Sequence, residues 1–214
     1  MRRILFTLLL VLPLLAAASD NDIDKINGAA RVEAGQQAGD VSTVNGAVEI
    51  GTGATVKEAQ TVNGAVTLGE RAQAAALSTV NGAVRLGTGS KVSGDVEATN
   101  GSIDLARGAD IGGKLSNVNG AIKLDAAHVA GGIETVGGDI TVGADSHVEG
   151  GILVDKSSSW FGWNGRTPTV VIGPHAVVQG TLEFRRDVEL KVSDSAQIGP
   201  VKGATVQKFS GANP

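Results

Sequence analysis

An Asn-Gly pair recurs along this chain at a nearly constant step: Asn27, Asn45, Asn63, Asn81, Asn100 and Asn119 each precede a glycine, at spacings of 18, 18, 18, 19 and 19. A period of this length means that one supersecondary unit is stacked on copies of itself. Four of the sites read Val-Asn-Gly-Ala, starting at Val44, Val62, Val80 and Val118, and the next step of 18 lands on Val136-Gly137-Gly138-Asp139. The beat fades without stopping.

A finer period lies inside the coarse one. Apolar or small residues fall every six positions, at Val44, Ile50, Val56, Val62, Leu68, Ala74, Val80, Leu86, Val92 and Ala98. After single-residue slips near Thr99 and Asn117 the run resumes at Val118, Leu124, Ala130, Val136, Val142, Val148 and Val154. A one-residue shift inside a strand would turn its apolar face outward, which places the slips in turns. Companion apolar residues sit two places earlier, as in Val48 with Ile50 or Ile122 with Leu124, and a spacing of two belongs to strands. A helix would need apolar residues at three and four, and each internal glycine would cost it about 1 kcal/mol against alanine.

The predicted fold is therefore all-β, a single-stranded parallel β-helix (β-solenoid) of about 18 residues per coil, each coil making three short strands. At roughly 4.8 Å per coil, about ten coils would form a rod on the order of 50 Å long.

The asparagines admit two readings. In one, Asn and Gly take up left-handed backbone at solenoid corners. In the other, Thr43, Thr61 and Thr79, two residues before Asn45, Asn63 and Asn81, run beside the asparagines as two parallel rows on one flat face. The rows decay at Asn100 and Asn119, where Ala98 and Asn117 replace threonine.

Residues 1–18 read as a signal peptide: Arg2-Arg3, an apolar run from Ile4 to Leu15, and Ala16-Ala17-Ala18 suited to cleavage. An uncleaved anchor is the alternative. The expected mature chain is exported, to the periplasm or beyond, and has no later apolar segment fit to span a membrane. Its formal charge is −6, the whole chain's −4 less the two leader arginines, and nothing in it forms the basic patch that nucleic acid requires. There is no cysteine, hence no disulfide, thiolate metal site or thiol nucleophile. Residues 19–155 read as solenoid repeats, 156–169 as an insertion, and 170–214 as terminal coils and tail.

The insertion holds both tryptophans, in Trp160-Phe161-Gly162-Trp163, with Arg166 a candidate polar anchor. Aromatics in an exposed loop mark a contact with a partner or glycan; a flap folded onto the solenoid wall is the other reading.

Ile172-Gly173-Pro174-His175-Ala176-Val177-Val178-Gln179-Gly180 resembles bactofilins, bacterial polymer-forming proteins built on a right-handed β-helix, and Val92-Ser93-Gly94-Asp95-Val96 is similar. The Val-Asn-Gly-Ala-Val units also resemble secreted putative adhesins with solenoid repeats. The bactofilin resemblance implies a right-handed solenoid that assembles end to end, and coils of nineteen favour the same hand. Aliphatic-Gly pairs such as Ile50-Gly51 and Leu68-Gly69 resemble the left-handed hexapeptide acyltransferases, whose members use a histidine base. His128, His147 and His175 are the only histidines here, and each reads as an outward turn residue. The carboxylates are scattered, unlike a glycosidase pair, and no nucleophile elbow or phosphate loop appears. No catalytic residue, metal site or cofactor is expected. The expected role is a non-enzymatic platform facing an envelope polymer, a glycan, another protein or a second copy of itself.

Overall fold

A computed structural model of the chain describes residues 21–156, 166–212 and 214. The described chain is all-β and folds as a parallel β-solenoid. Two sheets of ten strands and one of seven run along its axis, and each strand inside a sheet pairs in parallel with its equivalents one coil below and above. Isolated bridges from Gln37 through Thr55 to Gln73 prolong the third sheet toward the N-terminus, so about nine coils close.

One coil shows how the residues choose their places. Val41–Asn45 lies in the first sheet and Val48–Ile50 in the second, and Thr55 bridges into the third. Its inward side chains come in pairs: Val41 with Thr43, Val48 with Ile50, Ala54 with Val56. The next coil begins its own pair at Ala59 and Thr61. Successive pairs are thus 7, 6 and 5 residues apart, a triangle with unequal sides rather than a prism of equal sixes.

That inequality corrects one row of the six-residue pattern. Ile50, Val56, Leu68, Ala74, Leu86 and Val92 are buried as expected. Val44, Val62, Val80, Val118 and Val136 instead stand outside the column, Val44 at 41 % exposure. Alternation along the first-sheet strand dictates this: with Val41 and Thr43 inward, Val44 has to point out. Ala130 is displaced likewise, because Val129 takes the inward place.

The slips do fall in turns, but not at Thr99 and Asn117, which lie within the strands Val96–Asn100 and Leu115–Asn119. The pairing of Leu77 with Val96 after that of Ala74 with Val92 puts the first extra residue in the Ser93–Asp95 turn. Turns absorb the change because no side-chain alternation crosses them. The longest insertion behaves the same way. Ile140 pairs with Val170, His147 with Val177 and Ile152 with Leu182, a step of 30 residues in each sheet with the register kept.

The core is one column of Val, Ile, Leu and Ala, with Leu68, Ile103, Leu115, Ile122, Ile140 and Leu190 among its fully buried side chains. Identical coils place like residues over like, so the column is filled without bulky aromatics; Phe184 is its one buried aromatic among the described residues.

Candidate functional site

The Asn-Gly corner is built from stacked backbone. A Cβ on Gly46, Gly64, Gly82, Gly101, Gly120 or Gly138 would overlap the carbonyl oxygen of the corner glycine one coil below. Close approach, more than left-handed backbone, is what demands glycine here. The asparagines themselves are not left-handed: among the described non-glycine residues, positive φ is confined to Asn21, Arg71, Ala126, Asp145 and His175.

The threonines are not surface residues. Thr43, Thr61 and Thr79 are buried, at 3 %, 4 % and 4 % exposure. Their hydroxyls donate to the carbonyls of Gly28, Gly46 and Gly64 at 3.1, 2.9 and 3.0 Å. The surface row anticipated for them is corrected by the same alternation that turns Val44 out, and the hydroxyl is tolerated inside because it satisfies a carbonyl buried by the tight corner. Asn117 takes over the task with its Nδ2, donating to the Gly101 and Gly120 carbonyls at 2.8 and 3.1 Å.

The asparagines, by contrast, stack into a ladder. Asn45 Nδ2 donates to Asn27 Oδ1 at 3.2 Å, Asn63 to Asn45 and Asn81 to Asn63 at 3.0 Å, and Asn100 to Asn81 and Asn119 to Asn100 at 3.1 Å. Every bond points toward the N-terminal end, so the ladder has a direction. It stops where Gly137 replaces asparagine opposite Asn119, and there Arg186 Nη1 donates to the Val136 carbonyl at 2.9 Å. Each rung uses one amide hydrogen and one oxygen lone pair, leaving a second donor and a second acceptor site facing outward.

An apolar row borders the ladder: Ile26, Val44, Val62, Val80, Val118 and Val136, interrupted at Thr99. Ile26 and Val44 are exposed and the later members half-buried. On its far side the row of Asp24, Ser42, Gln60, Ser78, Glu97, Ser116 and Glu134 carries carboxylates and no cation. Six asparagines joined by five side-chain hydrogen bonds give a strip roughly 24 Å long with a repeat of about 4.8 Å.

Trp160, Phe161 and Trp163 lie outside the described residues. Arg166 donates to Asp139 Oδ2 at 2.8 Å, and Thr169 N donates to Asp139 Oδ1 at the same distance, so one carboxylate ties down the chain as it re-enters the second sheet.

A second polar group on the third sheet escaped the sequence reading. His128 and His147 are strand residues, not turn residues; only His175, with φ of 56°, sits in a turn. Asp110, His128 and His147 share one register position on successive coils. His128 Nδ1 lies 2.6 Å from Asp110 Oδ1 and its Nε2 3.1 Å from Glu149 Oε1. The His147 ring is 5.7 Å from that of His128 between centroids, and its Nε2 is 3.0 Å from Gln179 Nε2. The Asp110 hydrogen bond, aided by Glu149 and opposed by burial, raises the His128 pKa above the ordinary imidazole value. The signal was available: the three residues are 18 and 19 apart, one coil each. Among the described residues no three His, Cys, Asp or Glu side chains converge as a metal cage.

Fold and surface together define a single-chain parallel β-solenoid repeat protein. No family model, curated protein or solved structure matches the chain.

Proposed function

We propose that the protein is a non-enzymatic, exported structural solenoid that presents the asparagine ladder and its valine border to an extended polymer of the cell envelope. The observation that carries this reading is the strip itself: amide groups and aliphatic side chains repeat once per coil in a line along the solenoid. Such a line suits a long, regular partner better than a small molecule, which needs a concave site to bury most of its surface. The neighbouring carboxylate row disfavours a polyanion, and the strip's own amides and valines carry no charge, which suits an uncharged polymer. The aromatic segment around Trp160 and Trp163 is a second contact in this reading.

Co-sedimentation of the mature chain with cell-wall polymer, alongside a glycan array, tests the proposal. Val62→Asp with Val80→Asp alters two outward residues and should abolish retention while the melting profile survives; unchanged retention on every polymer tried would sink the reading. Trp160→Ala with Trp163→Ala tests the aromatic contact in the same assay.

A second reading, a bactofilin-like scaffold assembling end to end, draws support from the two ends. Among the described residues the strands Ile23–Asn27 and Val206–Phe209 each have a neighbour on one side only, and open edges of this kind recruit further strands. Electron microscopy of the mature protein decides it by the presence or absence of filaments.

A further inference from the structure

Three successive coils contribute to the cluster around His128: Asp110 from the coil below, His128 itself, and His147 with Glu149 from the coil above. Both ring nitrogens of His128 face carboxylate oxygens. An ionised carboxylate only accepts hydrogen bonds, so both contacts are satisfied only when both nitrogens carry hydrogen, that is, when the ring is an imidazolium. His147 is held in the opposite sense. Its Nε2 faces the amide nitrogen of Gln179, which can only donate, so that nitrogen has to accept. The two rings, tilted by 50°, therefore stand side by side in complementary roles.

We propose that this cluster is a proton-binding site: a proton on His128 staples three adjacent coils through Asp110 and Glu149, and its loss releases them. The charged and titratable groups around it are few. Lys91 pairs in register with Asp110 from below, the Arg107–Asp125 pair occupies the adjoining corner at 3.6 Å, and His147 and Gln179 close the cluster from above. Glu149 lies three residues before the strand Ile152–Val154, the last strand ahead of the insertion at 156–169. The staple thus holds the coil from which the insertion departs.

The sign follows from the geometry. The folded state binds the His128 proton more tightly than the unfolded chain does, so the staple is fully present below the unfolded imidazole pKa of about 6.5 and is lost as pH rises through the folded value. The ring is partly exposed, which keeps the effect modest.

Proton NMR of the histidine ring signals in the mature chain, assigned with His128→Gln, His147→Gln and His175→Gln, tests this directly. His128 should titrate above about 6.5, and Asp110→Asn should bring its midpoint down. Melting temperature followed from about pH 6 to pH 9 should fall by up to about 2–4 °C more in the native chain than in His128→Gln. A His128 midpoint at or below the ordinary value, or identical pH dependence of melting in the two proteins, overturns the proposal. His147→Gln keeps the staple and should retain the native pH dependence; its loss there would overturn the assignment to His128.

Discussion

Thr61 shows in one residue how the solenoid resolves a conflict. The corner glycine has to lack a side chain so that coils can approach, but that approach buries its carbonyl, and a threonine hydroxyl from the coil above satisfies it. Thr61→Val keeps the shape and removes the donor, and should cost about 1 kcal/mol in urea unfolding. Ala98 occupies the same place without a hydroxyl, so Ala98→Thr should stabilise by a similar amount. Gly64→Ala should be far more damaging, because the methyl meets backbone that cannot move aside; loss of cooperative unfolding is the expected outcome. Glu58 presents an electrostatic case. Burial, with Asp40 beside it adding repulsion, raises its pKa. The ionised side chain is therefore a liability at neutral pH, and Glu58→Gln should raise the melting temperature there. That gain should vanish as pH falls below about 4, where the native carboxyl is protonated in both states.

At the level of elements, the asparagine ladder and the unequal strands mark where sequence reading succeeded and where it ran short. Period, strand content, parallel stacking and the location of slips in turns were all legible, because stacked coils force like residues to recur at fixed steps. The six-residue pattern still misplaced Val44, Val62 and Val80, since adjacent Thr and Val suit a strand equally well and only the length of each side reveals which points in. His128 and His147 went unlinked for a related reason: the step of 19 between them was visible, but whether both residues face the same side depends on how the intervening turns are cut. The ladder's direction makes a prediction of its own. Asn27 only accepts along the ladder, whereas Asn63 both donates and accepts. Asn27→Asp should leave stability nearly unchanged, and Asn63→Asp should lower it by roughly 1 kcal/mol, since two acceptors then face each other; parallel urea titrations of the two variants distinguish them.

Across the whole molecule, each coil touches only its neighbours, so stability adds along the axis coil by coil. Ile122→Ala, in the middle of the column and fully buried, should cost about 2–5 kcal/mol. The same change at Ile198, which is half-buried near the C-terminal end, should cost much less. Chemical denaturation of the two variants reads out this gradient, and equal losses would mean that the column does not behave as a chain of nearest neighbours.

The departure between Val154 and Thr169 has a practical corollary. Three sheets resume their pairing after it as though nothing had intervened, with Asp139 fastening the returning chain. A rod that can interrupt itself and re-thread has a natural port for grafted sequence. Epitopes or enzymes spliced at this corner would ride at a fixed height along a stiff axis, with the spacing between cargo and strip set by the number of coils between them.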